Sequence, residues 1–246
     1  VLPPLRAVLP VDLFSLPADH ARIGALARKH GLVHLTDAAH SYGGQMGTGP
    51  CGTRGAAAAT SFYPSKALGC YGDGGAVFTA DAELAARIRA VANHGVLPGA
   101  GEHALVGTNS RLDSLQAAVL LTKLAHFDAE IAARRRIAAR YRTELADRCA
   151  MQPVAPGTNP VWSYFAIRHE KRDALAAHLE GRCIRSVAYY RQPIHRQPAY
   201  ETAPCVPGGL PDTEAFARTL LCLPMHPYLR DDEVDAVIAA VRAFGG

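Results

Sequence analysis

Lysine is scarce in this chain of 246 residues. Arginine supplies 22 of the 26 basic side chains, and the four lysines stand at positions 29, 66, 123 and 171. The sequence therefore does not use lysine for general surface charge. Lysine differs from arginine because its amine can lose a proton and condense with an aldehyde. A lysine in an unusual setting is thus a candidate for covalent chemistry.

The sequence also lacks the patterns of secreted, zinc-binding and membrane-spanning proteins. No uninterrupted apolar stretch approaches 18 residues, the first residues do not resemble a signal peptide, and the six cysteines form no C-x-x-C pair. We interpret the scattered cysteines as reduced thiols and expect a cytoplasmic protein. The net charge of +4 is modest, so we expect neither a nucleic-acid nor a membrane partner.

Lys66 lies in a segment rich in glycine, proline and aromatic residues. The segment reads SFYPSKALGCYGDGG over residues 61–75, where Asp73 is the other charged residue. An amine held in such a tight loop suggests a Schiff base. The alternative is an ordinary solvated lysine, and position alone does not decide between the two.

Asp37 ends a short apolar run that follows an amphipathic helix pattern over residues 18–30. A helix followed by a buried strand is half of a βαβ unit, so we expect this strand to be parallel to its neighbours. Asp37 would then lie at the carboxyl end of the strand, where open α/β sheets bind ligands. An acid there can pair with the protonated ring nitrogen of pyridoxal phosphate. The alternative is an aspartate that caps the next turn.

The remaining hydrophobic pattern predicts alternating strands and helices. Expected strands cover 7–9, 56–62, 75–79, 161–168 and 184–190, and expected helices cover 81–93, 110–148 with a break near 126–128, 171–180 and 231–244. The first of these strands reads as buried, and a buried parallel strand needs neighbours on both sides. Little precedes it, so we expect the chain to be the carboxyl portion of a longer enzyme or a truncated gene product.

A series of short motifs runs nearly from end to end of the chain. They are VLPVDLF (8–14), TDAAH (36–40), TSFYPSK (60–66), GDGGAV (72–77), NHG (93–95), GTNSRLD (107–113), QAA (116–118), PIH (193–195) and LPMHP (223–227). In this order they resemble the DegT/StrS family of pyridoxal-phosphate-dependent nucleotide-sugar aminotransferases. The resemblance implies an α/β, type I aminotransferase fold. Residues 1–127 would form an incomplete, mostly parallel large domain, and residues 128–246 an α+β small domain.

The resemblance implies a role for four residues around the cofactor. Lys66 would bind pyridoxal 5'-phosphate as a Schiff base and later act as general acid and base, while Asp37 would keep the ring nitrogen protonated. His40 would lie beside the ring and its phenolic oxygen, and Ser61 would donate its hydroxyl to the phosphate. Apart from the resemblance, His40 could be a structural histidine and Ser61 an ordinary hydroxyl at a strand end.

Four further residues match family motifs in other parts of the chain. Asn109 and Arg111 would reach across a homodimer with shared active sites, towards the cofactor phosphate and the substrate respectively. Tyr190 and His195 would lie on the substrate side. Without the resemblance, Arg111 would be a routine residue before a helix, and the loop that holds His195 could be structural.

The implied reaction is a two-stage amino transfer. An amino donor, by resemblance L-glutamate, would give its amino group to the cofactor, and a nucleotide-linked keto sugar would accept it. The sequence segments at residues 70–75 and 189–200 are similar to those of enzymes that aminate C3 of UDP-linked 3-keto sugars. The implied setting is cell-surface polysaccharide or secondary-metabolite sugar biosynthesis. Two alternatives remain: an aminotransferase for a cyclitol or another small ketone, and a truncated fragment without catalytic activity.

Overall fold

The computed structural model describes residues 4–47, 49–97, 99 and 101–245. The chain divides into two structural units. Residues 1–131 and 154–163 form the first unit, and residues 132–153 and 164–246 form the second. The predicted domain boundary after residue 127 remains a prediction.

The described residues form ten strands, seven α-helices and three short 3-10 helices. The strands are β1 (Ala7–Val8), β2 (Val33–Asp37), β3 (Gln45–Met46), β4 (Gly49–Pro50), β5 (Ala57–Ser61), β6 (Gly75–Phe78), β7 (Ala150–Met151), β8 (Thr158–Asn159), β9 (Phe165–Arg168) and β10 (Leu220–Leu223). The α-helices are α1 (His20–Lys29), α2 (Ala82–Ala92), α3 (Ser114–Leu124), α4 (Phe127–Glu144), α5 (Arg172–Glu180), α6 (Pro211–Thr219) and α7 (Asp231–Arg242). Short 3-10 helices cover Leu13–Ser15, Ile194–Arg196 and Pro198–Tyr200.

The main sheet of the first unit has the strand order β1-β2-β5-β6. Strand β2 pairs in parallel with both β1 and β5, and β6 is antiparallel to β5. The predicted parallel arrangement of the strand ending in Asp37 is therefore confirmed. The lysine loop, residues 62–74, connects β5 to β6.

Strand β1 differs from the expectation of a buried strand. Ala7 is exposed, and Leu9, just after the strand, is 58% exposed. The physical reason is its place in the sheet: among the described residues β1 pairs only with β2, so one of its edges has no neighbouring strand.

Helices α1 and α2 begin within two residues of their predicted starts, whereas α3 begins at Ser114, four residues after the predicted start at 110. Asp19 precedes α1, and its side chain accepts the N–H of Arg22, so it is the N-cap of that helix. Asp81 caps α2 in the same way, with Glu83 in the first turn. The long helix expected over 110–148 is broken after Leu124 into α3 and α4, close to the predicted position.

The core of the first unit lies under the lysine loop. Four loop residues are buried in one cluster with side chains of α3, α4 and the 154–163 segment, namely Phe62, Ala67, Leu68 and Cys70 with Leu120, Phe127, Ile131 and Val161. Burial of apolar surface on both sides of Lys66 ties this loop to the unit's core. The position of Lys66 is therefore determined by packing of its neighbours.

The second unit contains a three-stranded antiparallel sheet with the order β10-β9-β7. Its core includes fully buried side chains from helices and strands, among them Tyr141, Phe165, Leu175, Leu221 and Val234. An antiparallel sheet with helices agrees with the expected α+β class. No helix among the described residues of either unit is long and apolar enough to cross a membrane.

One expectation for the second unit was wrong, and another was confirmed only in part. Residues 184–190 do not form a strand: Val187 makes a single bridge to Cys222, and Tyr189 already lies in a turn. The strand expected over 161–168 is confined to β9, which is the part that pairs with β10 and β7. Helix α6 and strand β10 were not predicted.

Candidate active site

Lys66 lies half-buried in the lysine loop. Its backbone N–H donates to the carbonyl of Tyr63 at 2.8 Å, which closes a turn around the lysine. Burial lowers the pKa of the Lys66 amine from the ordinary value of 10.5, and the carboxylate of Asp37 opposes this shift. An amine with a lowered pKa is more often unprotonated, which is the form that condenses with an aldehyde.

Asp37 is held at the carboxyl end of β2 by three hydrogen bonds. Its N–H donates to the carbonyl of Pro10 at 3.0 Å, its carbonyl accepts the N–H of Asp12 at 2.9 Å, and its Oδ1 accepts the N–H of Ala39 at 2.9 Å. The last bond shows that Asp37 does cap the following turn. The same carboxylate also influences the pKa values of Lys66 and His40, so the capping role accompanies an electrostatic role.

His40 is buried, with 7% of its surface exposed. The backbone N–H of Phe14 donates to its Nδ1 at 3.2 Å, so the neutral ring carries its proton on Nε2. Burial, and then the charge of Lys66, lower the pKa of His40 to about 4, while Asp37 opposes the change. His40 is therefore neutral near pH 7. The predicted residues Lys66, Asp37 and His40 thus form one electrostatically coupled group.

A buried aspartate supports the turn that carries Asp37 and His40. Asp12 is 0% exposed, and its carboxylate accepts hydrogen bonds from Ser41 Oγ at 2.8 Å and from the N–H of Ala18 at 2.9 Å. Ser163 Oγ donates to the carbonyl of His40 at 2.8 Å. The sequence contained Asp12 within a family-like motif, but its partner Ser41 lies 29 positions further along the chain. Its supporting role was therefore not predicted.

Two histidines complete the surroundings of Asp12. His20 Nε2 lies 2.7 Å from Asp12 Oδ1, and His20 Nδ1 lies 3.2 Å from His34 Nε2. Burial, followed by the charges of His20 and Arg28, lowers the pKa of His34. Because a carboxylate only accepts hydrogen bonds, His20 Nε2 is the donor to the buried Asp12 carboxylate.

Ser61 is the last residue of β5 and is half-buried. Its Oγ accepts the N–H of Tyr63 at 3.2 Å, so the side chain helps to turn the chain into the lysine loop. The hydroxyl proton remains available for donation to a phosphate oxygen. The predicted phosphate contact remains a prediction.

Asn109 and Arg111 lie in the exposed segment before α3. Arg111 Nε donates to Asn109 Oδ1 at 3.2 Å, and the backbone of Asn109 pairs with Asn93 at the end of α2. The two side chains are thus arranged side by side on the surface of the first unit. Their predicted reach into a neighbouring subunit remains a prediction.

Tyr190 and His195 belong to the second unit. Tyr190 is 56% exposed, and its ring lies 5.5 Å from that of Tyr189. His195 Nε2 lies 3.1 Å from Glu214 Oε1, which also accepts two hydrogen bonds from Arg196. Hydrogen bonds from His195 and Arg196 lower the pKa of Glu214. The substrate contacts of Tyr190 and His195 remain predictions.

Cavity size does not identify the site. A cavity of about 360 Å³ is lined by residues of the second unit, namely Arg148, Ala150, Arg168, His169 and Glu170, and contains none of the predicted site residues. We place the site at Lys66 because Lys66, Asp37 and His40 together supply an amine, a carboxylate and a neutral imidazole. Within the part of the chain that the structure describes, no three His, Cys, Asp or Glu side chains are placed to hold a metal ion.

The group around Lys66 fits pyridoxal phosphate. It offers an amine with a lowered pKa for the aldehyde, a carboxylate at a strand end for the ring nitrogen, and a neutral imidazole beside them. Ser61, at the end of the adjacent strand, adds a hydroxyl suited to a phosphate. These residue types match the polar groups of the cofactor one by one.

Comparison with known proteins agrees with this chemistry. The model of the DegT/DnrJ/EryC1/StrS aminotransferase family matches residues 1–242. The dTDP-3-amino-3,4,6-trideoxy-alpha-D-glucose transaminase of Streptomyces venezuelae is 44% identical over 98% of this chain, and the UDP-2-acetamido-2-deoxy-3-oxo-D-glucuronate aminotransferase of Pseudomonas aeruginosa is 39% identical over 98%. The chain spans 64% and 66% of the lengths of these two relatives.

Solved structures show the same likeness. The crystal structure of a DegT DnrJ EryC1 StrS aminotransferase from Brucella abortus superimposes with a TM-score of 0.95 at 47% identity, covering 98% of this chain and 65% of that one. The similarity therefore extends over nearly all of this chain and about two thirds of each relative.

Proposed function

This chain belongs to the DegT/DnrJ/EryC1/StrS aminotransferase family, and we propose that it carries the reactive lysine of a pyridoxal-phosphate-dependent aminotransferase. Its fold is the predicted type I aminotransferase fold. The observation that carries the proposal is the half-buried amine of Lys66, whose pKa burial lowers and the Asp37 carboxylate raises. A surface lysine of ordinary pKa would not suit covalent chemistry in this way.

The proposed substrate is a keto sugar attached to a nucleotide, with L-glutamate as the amino donor. Two relatives are a dTDP-3-amino sugar transaminase and a UDP-3-oxo-glucuronate aminotransferase, which supports amination at C3. The proposed setting is the biosynthesis of cell-surface polysaccharide or secondary-metabolite sugars in the cytoplasm. The activity of the whole protein is part of this proposal, because the chain spans 64% and 66% of the lengths of these two relatives.

When bound, pyridoxal phosphate supplies an electron sink that stabilises the developing carbanion. The residues of this chain would hold it and move protons. The amine of Lys66 would hold the cofactor covalently, and once free again it would carry a proton to and from the reacting carbon. The Asp37 carboxylate would favour a proton on the ring nitrogen by its negative charge. His40 presents its Nε2–H as a hydrogen-bond donor, since its Nδ1 is occupied by Phe14.

Borohydride trapping tests this proposal directly. The full-length protein is incubated with pyridoxal phosphate, reduced and digested, and the labelled peptide is identified by mass spectrometry. We expect the label on Lys66, and Lys66→Ala should lose both the label and amino transfer. The matched control is Lys29→Ala, which removes an exposed lysine at the end of α1 and should keep both.

The possible outcomes separate the candidate functions. Label on Lys29, Lys123 or Lys171 in place of Lys66 would overturn the assignment. No label and no visible absorbance on the chain of 246 residues would favour the fragment without catalytic activity. Assays with UDP- and dTDP-linked 3-keto sugars, beside a cyclitol ketone, identify the acceptor class once Lys66 is labelled.

A further inference from the structure

Helix α3 contacts the lysine loop at two backbone groups. Lys123 Nζ donates to the carbonyl of Gly69 at 2.6 Å, and Gln116 Oε1 accepts the N–H of Tyr71 at 2.8 Å. The two side chains are seven residues apart, which is two helical turns, so they project from the same face of α3. One face of α3 therefore binds the backbone of the segment that follows Lys66 at two points, the carbonyl of Gly69 and the N–H of Tyr71.

Gly69 is the point where the lysine loop folds back on itself. A Cβ at this position would lie 2.7 Å from the carbonyl oxygen of Tyr63 and 2.8 Å from that of Pro64. The chain on either side of Lys66 is thus in close contact, with Gly69 buried against residues 63–64. A group that fixes Gly69 also fixes the turn in which Lys66 lies.

The chemistry of Lys123 suits this position. An ammonium group that donates to a carbonyl makes a charge-assisted hydrogen bond, which is stronger than a bond between neutral groups. Lys123 is half-buried, in a chain that otherwise uses arginine for nearly all of its cations. The compact ammonium delivers one charge to one carbonyl, whereas a guanidinium is a planar fork with five donors.

We propose that Lys123 and Gln116 are positioning residues that fix the lysine loop from α3 and so hold the Lys66 amine in place for its reaction. This inference rests on the proposed function of Lys66. Neither residue touches the reacting atoms in this proposal. Both act through the backbone between Gly69 and Tyr71.

Hydrogen exchange of the loop amides tests this inference without the cofactor. The full-length protein is compared with Lys123→Met and Gln116→Ala, and exchange is followed for the amides of residues 66–71. We expect exchange about tenfold faster in each variant, as the loss of one hydrogen bond predicts. The amides of β5 and β6 should keep their rates. Lys29→Met is the matched control, and it should leave the loop unchanged.

Conservative variants and kinetics separate positioning from general stability. Gln116→Glu keeps an acceptor for the Tyr71 N–H, and Lys123→Arg keeps the charge, so each should retain more loop protection than its non-conservative counterpart. In the holoenzyme, Lys123→Met should lower kcat and leave the KM for the nucleotide sugar nearly unchanged.

Three results would overturn the inference. Each of them differs from the result that would refute the proposed function. Unchanged loop exchange in both Lys123→Met and Gln116→Ala would overturn it, even with Lys66 fully labelled by borohydride. Equally faster exchange throughout the first unit would show that the two residues only stabilise the fold. A kcat unchanged in both variants would show that the loop contacts do not serve the reaction. Absence of label on Lys66 in the unsubstituted protein would instead refute the proposed function, whatever the exchange rates.

Discussion

The backbone N–H of Phe14 donates a hydrogen bond to Nδ1 of His40, across 26 positions of the chain. Phe14 has a φ of 51°, a left-handed conformation that costs a non-glycine residue about 1–2 kcal/mol. The turn that contains Phe14 is supported by Ser15, whose Oγ accepts the N–H of Ser163 at 2.8 Å. The protein thus maintains an unfavourable backbone conformation beside His40, and this conformation fixes which ring nitrogen carries the proton.

We predict that His40 makes the folded protein sensitive to acid. Its folded pKa of about 4 is below the ordinary value of 6.5, so protonation favours the unfolded state. The contribution is fully present above pH 6.5 and is lost as the pH falls towards 4, by about 2 kcal/mol at pH 4.5. Urea unfolding at pH 7 and pH 4.5 should show a smaller loss of unfolding free energy in His40→Gln than in the unsubstituted protein.

Two observations check this prediction. His30→Gln is the control, because it removes an exposed imidazole. It measures how much the loss of an imidazole outside the site changes the pH dependence of the unfolding free energy. The ring resonances of His40 should show a neutral imidazole at pH 5.5, with the proton on Nε2. A midpoint for His40 near 6.5 would contradict the assignment.

We predict that Asp37→Asn lowers turnover by about 10²-fold or more, because it removes the charge proposed to keep the ring nitrogen protonated. The fold should remain, since the amide oxygen of Asn can still accept the N–H of Ala39. Steady-state kinetics of the full-length enzyme, with thermal unfolding of the same samples, measures both effects. Asp19→Asn is the control, because Asn also caps helices well. Near-normal turnover in Asp37→Asn would mean that Asp37 serves only the turn.

The features that the sequence predicted well depend on local signals. Asp81 and Glu83 mark the start of α2 because an acidic cap and an acidic first turn both stabilise a helix N-terminus. An apolar run that ends in Asp37 predicts a strand with an acid at its carboxyl end, and β2 has that form. The lysine loop was identifiable because an amine among glycine and aromatic residues is chemically unusual.

The features that the sequence did not predict depend on distant partners. Asp12 and Ser41 are 29 positions apart, and no local pattern indicates their hydrogen bond. Residues 184–190 have the composition of a strand, but within this segment only Val187 pairs with another strand, through a single bridge to Cys222. Strand β10 is four buried residues that follow α6 directly, so its short apolar run gives no periodicity to read.

The last prediction concerns assembly. Asn109 and Arg111 lie on the surface, hydrogen-bonded to each other, and the proposed homodimer places them in the neighbouring subunit's active site. A dimer with two-fold symmetry would contain two such shared sites. Each variant alone, Lys66→Ala or Arg111→Ala, should be inactive. A purified heterodimer of the two variants would have one site with both residues intact, and should recover about half of the normal turnover per dimer.

The matched control for shared sites pairs the unsubstituted subunit with one that carries both substitutions. If Arg111 serves the neighbouring site, neither site of this heterodimer contains both Lys66 and Arg111, so it should be inactive. If Arg111 serves its own subunit, the unsubstituted subunit has a complete site and about half of the turnover remains. Activity in this pair, together with none in the pair of single variants, would therefore contradict the shared site. Sedimentation at the assay concentration must show a dimer for both pairs, and a monomer in the active unsubstituted protein would contradict the shared-site proposal on its own.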